Sequence, residues 1–233
     1  INRRGTLPPY LSDWLNSYEL GWKTTWADNS LRFNGALYYQ EWEDFQFPIL
    51  GANGLTEIKN AAQAEIWGLE VDLTWQVTAQ FNLTAAAAYT NAELAEPYCG
   101  YTFPGTSTPV AKDPCPVFDD DGNPTGDFQD PEAPEGQRLP VTPEFKGNIT
   151  ARYEFPLMGY DSYTRGSLVY VGERESSLLT YDRDVLGQVP AYTSVDLAAG
   201  FGKEGWNAEL YINNVFDETR ETGRGVSCVT EVC

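Results

Sequence analysis

The sequence predicts an all-β fold, an antiparallel transmembrane β-barrel portion that contributes about eight strands of a larger barrel. Three observations predict this fold class. Apolar and polar residues alternate with a period of two in eight segments, no segment shows convincing helical spacing, and the connections between segments are alternately short and long. No stretch approaches the roughly 18 consecutive apolar residues of a membrane helix, so a helical membrane protein is excluded.

The first four predicted strands lie in the first 92 residues. They span residues 17–26, 31–40, 67–76 and 81–92. Large apolar side chains such as Leu37 and Leu73 alternate with polar ones, as expected for strands with two different faces. Short turns follow the first and third strands, and an irregular stretch around residues 51–54 follows the second.

The second four predicted strands show the same pattern. They span residues 145–153, 163–174, 193–201 and 206–213. The third of this group is typical, because Val195, Leu197 and Ala199 alternate with polar or small residues. The strand at 163–174 is the least regular, since Val169 and Val171 oppose Leu168 and Tyr170. A polar tail follows the eighth strand.

The lengths of the connections indicate a membrane barrel. Bacterial transmembrane barrels have short periplasmic turns and long extracellular loops, whereas a soluble sandwich with Greek-key connections has no reason to sort its loops in this way. Aromatic residues flank each short turn, as they do at membrane interfaces. They are Trp26, Trp75, Phe81, Tyr153, Phe155, Phe201 and Trp206. We therefore expect short periplasmic turns and long extracellular loops.

Residues 93–142 are predicted to form one long acidic extracellular loop. Between Glu93 and Glu135 the sequence has ten acidic residues, eight prolines and one base, Lys112. Proline prevents long helices or strands. The chain has a net charge of -19 and no histidine, which argues against a nucleic-acid partner and removes the usual metal ligand and general base. Asp119–Asn123 does not fit an EF-hand, because Pro124 stands at the sixth position of the loop.

All four cysteines lie in segments that the pattern places outside the membrane. Cys99 and Cys115 are in the acidic loop, and Cys228 and Cys233 are in the tail. An oxidising exterior makes two local disulfides plausible. Zinc is the alternative, although neither CxxC spacing nor histidine is present.

Four segments of the sequence resemble the TonB-dependent receptors of the bacterial outer membrane. They are Tyr18–Lys23, Trp67–Val71, Leu139–Pro143 with the following Phe145–Asn148, and Asn214–Glu218. The resemblance implies a transporter wall with loops that capture an extracellular small molecule such as an iron-siderophore, a cobalamin or an oligosaccharide. It implies outer-membrane lipid as the surroundings, no enzymatic activity, and no cofactor or metal. TonB would contact an N-terminal region of the parent protein, because residues 1–233 show a partial barrel domain with no plug and no final strand.

The predicted polar face would line the lumen of the barrel. Its charged members are Glu19, Lys23, Arg32, Glu70, Asp72, Lys146, Arg152 and Glu209. Glu70 and Asp72 have a spacing that an inverting glycosidase could use, but lumen polarity is the favoured interpretation. Loop aromatics could stack on a ligand. They are Tyr98, Tyr101, Phe103 and Tyr181.

Two alternatives remain open at the level of the sequence. The first is a complete eight-stranded outer-membrane barrel with a structural or adhesive role, which would pair the strands at Tyr18 and Leu210. We expect a fragment instead, because the first strand begins and the eighth strand ends on the long-loop side. The second is a soluble carbohydrate-binding β-sandwich, in which the apolar face would be covered by a second layer.

Overall fold

A computed structural model describes residues 10–50 and 56–225 of the chain. In this part of the chain it has twelve strands and one short helix. They are β1 (Trp14–Trp26), β2 (Leu31–Glu43), β3 (Gln46–Leu50), β4 (Thr56–Asn60), β5 (Gln63–Gln76), β6 (Phe81–Leu94), β7 (Cys115–Phe118), β8 (Pro124–Gln129), β9 (Phe145–Leu157), β10 (Tyr160–Val171), α1 (Thr180–Leu186), β11 (Tyr192–Lys203) and β12 (Trp206–Ile212). No helix among the described residues is long and apolar enough to cross a membrane.

Eight strands form one antiparallel sheet in the order β1-β2-β5-β6-β9-β10-β11-β12. Each of the eight predicted strands is confirmed, and each pairs with its neighbour along the chain. The structure also has two small hairpins, β3–β4 and β7–β8, in the connections. Among the described residues β1 and β12 pair on one side only, so the sheet is an open wall. The alternative of a closed eight-stranded barrel is therefore wrong.

The turns after β1 and β9 fit the twist of the strands that they join. Ala27, Asp28 and Asn29 have positive φ angles of 51°, 52° and 70°. Met158 and Gly159 have φ angles of 53° and 81°, as a two-residue type I′ hairpin turn requires. Such turns match the right-handed twist of the flanking strands, so they hold the register without additional residues.

No other part of the described chain covers the apolar face of the sheet. Leu37, Ile149 and Leu197 are 48%, 41% and 47% exposed, and Leu73 is partly exposed. A soluble protein does not leave an apolar surface of this extent open to water. The interpretation as a soluble sandwich is therefore wrong, because that fold requires a second layer over these side chains.

Aromatic rings cover glycines in three cross-strand pairs of the sheet. The pairs are Trp22 with Gly35, Tyr38 with Gly68, and Tyr163 with Gly200. A Cβ atom on the glycine would lie only 2.2, 2.4 or 2.5 Å from the aromatic side chain, respectively. The ring fills the space that the glycine leaves, a device known to stabilise strand glycines.

The buried hydrophobic core lies at the long-loop end of the sheet and not within it. Its members are Phe45, Phe47, Ala61, Ala64, Ala92, Leu94, Tyr98, Ala133, Leu139 and Leu178. They come from the ends of β5 and β6 and from all three long connections. A second buried cluster contains Cys99, Val110 and Cys115.

Candidate functional site

The register places the predicted lumen-facing residues on one face of the sheet, which we call the polar wall. Lys23 lies opposite Asn34, which lies opposite Asp72. Residues directly opposite one another share a face of the sheet, and this face can be followed from pair to pair as far as β12. All eight predicted residues share this face: Glu19, Lys23, Arg32, Glu70, Asp72, Lys146, Arg152 and Glu209. A groove of about 770 Å³ runs along the polar wall. Five of the eight line it: Glu19, Lys23, Glu70, Asp72 and Lys146.

Charged side chains of the polar wall are tied to one another. Arg152 lies 3.6 Å from the ring centre of Tyr163, and its Nε donates to Glu154 Oε1 at 2.9 Å. Tyr163 in turn donates its hydroxyl hydrogen to Glu209. Asn34 Nδ2 donates to Asp72 Oδ2 at 3.0 Å. The wall thus presents fixed donors and acceptors, and no acidic group in the described ranges is assembled with others into a metal site.

The three long connections fold together into what we call the loop cap. We name the described residues 44–50 and 56–62 loop A, residues 95–144 loop B and residues 172–191 loop C. The rings of Phe47 in loop A and Tyr98 in loop B meet edge to face at 5.1 Å, and Leu178 of loop C is buried against the same cluster. Because each loop contributes buried side chains, the cap is one packed unit at one end of the wall.

A polar clasp holds loop C against loop B. Thr180 at the start of α1 donates its backbone N–H to Glu132 O at 2.8 Å. Arg183 donates from Nε to Ser177 O at 2.8 Å and from its guanidinium to Arg138 O. The guanidinium also lies 3.5 Å from the nearly buried carboxylate of Glu175.

The Arg183 guanidinium stays charged within this clasp. Burial lowers the pKa of Arg183, and Glu175 counteracts that shift. Since an arginine does not lose its proton in proteins, the clasp is ionic.

The four predicted ligand-contacting aromatics have different environments. Tyr98 is 2% exposed, and its hydroxyl has no hydrogen-bond partner among the described residues. Burial, with the carboxylates of Glu132 and Glu57, raises its pKa. Tyr101 and Phe103 are partly exposed and pack on Phe118. Tyr98 therefore lies inside the cap and the other two rings are only partly covered, a difference that residue type alone does not reveal.

Tyr181 on α1 differs from the other three aromatics. Its side chain is 60% exposed at the surface of the cap. Of the four, it is the ring best placed to meet a ligand from solution.

The structure joins Cys99 and Cys115 in a disulfide within loop B. The bond lies at the base of the β7–β8 hairpin, since Cys115 is the first residue of β7. At the tip of this hairpin, Asp119 Oδ1 accepts the N–H groups of Asp121 at 3.0 Å and Asn123 at 2.7 Å. The bond from Asn123 N–H is the main cause that lowers the pKa of Asp119. Its carboxylate therefore caps a turn. Cys228 and Cys233 lie outside the described residues.

Residues 214–225 lie in the predicted polar tail, which includes the Asn214–Glu218 segment of the family resemblance, and they form a return segment. Asn214 closes a ring with Glu218, accepting its N–H at 3.0 Å and donating to its carbonyl at 3.1 Å. Arg220 donates to Ser194 Oγ on the polar wall and lies 5.7 Å from the ring centre of Tyr192. The segment therefore turns back from β12 across the polar side of β11.

A family model described as "TonB dependent receptor-like, beta-barrel" matches residues 15–215. The chain belongs to this family. Its members are receptors and transporters of the outer membrane, so the predicted family, location and barrel architecture are confirmed. In barrels of this kind the apolar side of each strand meets lipid and the polar side lines the interior. The four short turns lie in the periplasm and the long loops outside the cell.

Solved structures show the same fold at low identity. The ferric yersiniabactin uptake receptor FyuA from Yersinia pestis is 17% identical with a TM-score of 0.63, covering 93% of this chain and 27% of that one. The ferric-catecholate import receptor Fiu from E. coli K12 is 15% identical with a TM-score of 0.58, covering 92% and 25%. The copper transporter OprC is 14% identical with a TM-score of 0.60, covering 91% and 27%. The chain thus spans about a quarter of the length of these relatives.

Proposed function

We propose that this chain forms part of the lumen wall and the outer cap of a receptor that takes up a scarce extracellular ligand. The observation that carries the proposal is the combination of one continuous polar wall with a packed loop cap at its outer end. A ligand bound at the cap would pass along the wall through an aqueous interior, where fixed polar groups replace its hydration.

An iron-siderophore is the preferred class of ligand. Two of the similar structures are named as ferric-complex receptors and one as a copper transporter. Cobalamin and oligosaccharides are the alternatives. Ligand contact at the cap is assigned first to Tyr181, while Tyr98, Tyr101 and Phe103 support the cap from inside.

The chemistry of the groove favours transport over catalysis. Glu70 and Asp72 are both exposed, and Asp72 is bound to the amide of Asn34. The two carboxylates of a glycosidase flank the bond that is cut, whereas Glu70 and Asp72 are neighbours on one exposed strand face. Energy for uptake would come through TonB. We assign the contact with TonB to a part of the receptor other than the residues described in this chain.

Uptake by whole cells tests the proposed function. Cells with and without the gene are given the iron-55 complexes of a tris-catecholate and a tris-hydroxamate siderophore, and accumulated iron is counted. We expect accumulation of at least one complex to require both the gene and an energised inner membrane. Equal accumulation in both strains would exclude iron-siderophore uptake, and labelled cobalamin and maltooligosaccharide would then distinguish the two alternatives.

Outer-membrane barrels resist unfolding by detergent at room temperature, which gives a second check. The receptor is expected to migrate differently on a denaturing gel before and after boiling. Identical migration would contradict a kinetically stable barrel.

A further inference from the structure

Arg220 holds a guanidinium over the polar wall at its outer end. Arg220 belongs to the return segment, and three hydrogen bonds made by other residues fix that segment. Asn214 N–H donates to Asp196 Oδ1 at 2.8 Å, and Arg224 Nη1 donates to Leu186 O at 2.8 Å. Arg174 Nη2 donates to Glu221 O at 2.8 Å. Arg220 is therefore positioned without needing its own charge to anchor the segment.

The charge of Arg220 is not matched by an acid. Four other arginines have a carboxylate within 2.8–3.5 Å: Arg138, Arg152, Arg183 and Arg224. Within residues 10–50 and 56–225, no carboxylate lies within 4.0 Å of Arg220. Arg32, Arg165 and Arg174 likewise have no carboxylate within 4.0 Å in the described ranges, so Arg220 differs from them by its place at the outer end of the wall.

Most of the hydrogen-bond donors of Arg220 remain available. A guanidinium has five N–H donors, and here one nitrogen donates to Ser194 while the plane lies near the ring of Tyr192. Contact with an aromatic ring and one hydrogen bond restrict the side chain without neutralising it. The side chain is exposed, so its free donors are accessible to solvent.

Lys146 is a second cation in the same row of the wall. Tyr192 lies opposite Val171, and Val171 lies opposite Lys146. Two strand spacings separate Lys146 from Tyr192 in the sheet, about 10 Å. The structure gives Lys146 no carboxylate within 4.0 Å in the described part of the chain.

We propose that Arg220, supported by Lys146, forms an anion subsite on the lumen wall below loop C, and that it binds a carboxylate or similar anionic oxygen group of the transported ligand. This inference rests on the proposed function and adds the charge of the ligand to it. A planar guanidinium binds a carboxylate through two parallel hydrogen bonds, and its prior fixation reduces the entropy lost on binding.

Citrate titration of the purified receptor in detergent tests the subsite without transport. We expect saturable binding of citrate by calorimetry, weakened at least about tenfold by Arg220→Gln, because a hydrogen bond to a charged group is lost. Arg220→Lys keeps the charge and is expected to weaken binding less. The matched control is Arg165→Gln, which removes the same charge from the polar wall at a different depth. Arg165 pairs with Ala198, four residues along β11 from Ser194, so it lies about 13 Å further from the outer end of the wall.

The outcomes separate this inference from the proposed function. Absence of saturable citrate binding, or equal losses in Arg220→Gln and Arg165→Gln, would overturn the anion subsite while leaving uptake intact. Citrate binding that depends on Arg220, in a receptor whose gene affects no uptake, would overturn the proposed function alone. In cells that take up both siderophore complexes, Arg220→Gln is expected to impair the anionic tris-catecholate more than the neutral tris-hydroxamate.

Discussion

Gly68→Ala is expected to destabilise the barrel wall, because the ring of Tyr38 already fills the space above the glycine. The new Cβ atom would lie 2.4 Å from the Tyr38 hydroxyl oxygen and 2.5 Å from the backbone oxygen of Tyr89. Either the ring or the neighbouring strand must move. Movement of the ring would also break the 2.8 Å hydrogen bond between the Tyr38 hydroxyl and Thr90 Oγ1.

The magnitude follows from three opposing contributions. Overpacking costs about 1–3 kcal/mol, and loss of the hydrogen bond costs about 0.5–1.5 kcal/mol. Replacing glycine also reduces the entropy of the unfolded chain, which favours the folded state by about 0.4–1 kcal/mol. The free energy of unfolding should therefore fall by roughly 1–3 kcal/mol.

Gly21→Ala is the matched control, since Gly21 lies on the same face of the same sheet. Its Cβ atom would meet nothing closer than 3.6 Å, an ordinary contact. Only the entropic benefit applies, so this variant should be neutral or more stable. Urea unfolding of the whole receptor in lipid vesicles, followed by tryptophan fluorescence, measures both. Changes of the same sign and size in the two variants would refute the argument from packing.

Three further changes test the cap and the outer wall. Replacing Cys99 and Cys115 by serine removes a cross-link between residues 16 apart in sequence, which should lower the stability of folded loop B by about 3 kcal/mol. Trypsin should then cleave faster at Lys112, while the unfolding of the barrel stays unchanged. An unchanged rate of cleavage would contradict this prediction. Glu65→Gln should raise the free energy of unfolding by about 0.2–1 kcal/mol at low salt, because Glu65 faces two glutamates across neighbouring strands, and high salt should remove the gain. The raised pKa of Tyr98 means that the unfolded state releases the proton of this tyrosine at a lower pH than the folded state does, so the cap should lose stability above pH 10. Tyr98→Phe should abolish this loss. Thermal melts followed by near-UV circular dichroism at pH 9 and 11 measure it, and equal losses in both proteins would contradict the prediction.

The sheet could be predicted from the sequence because each strand carries its environment in its own residues. In β5, Trp67, Leu69 and Val71 lie on the apolar face of the sheet, while Glu70 and Asp72 lie on the polar wall. A slip of one residue would exchange these two sets, so the alternation fixes both strand and register. Several strands extend beyond the predicted bounds, as β5 begins at Gln63 and not near Trp67, because polar residues above the membrane interface weaken the pattern.

The cap could not be predicted, because its contacts join residues far apart in the chain. Phe47 and Tyr98 meet across two different loops, and no local pattern connects them. Prolines and acids correctly indicated an irregular loop B, but composition does not show which aromatic becomes buried. The expectation that Tyr98 is available to a ligand depended on exposure, and the structure places it inside. Arg220 was missed for the same reason, since its significance depends on a turn back to Ser194.

Stability and selectivity are therefore separated along the axis of this protein. The wall has little buried protein core, so lipid, backbone pairing and aromatic cover over glycines must hold it together. The cap has its own hydrophobic core, a disulfide and the Arg183 clasp, so its loops behave as a fixed rim. A rim of this kind selects ligands through the groups that it leaves exposed and not through folding around them. Tyr181 at the cap and Arg220 on the wall are the exposed groups that this division points to, and changing them should alter ligand choice while leaving barrel stability unchanged.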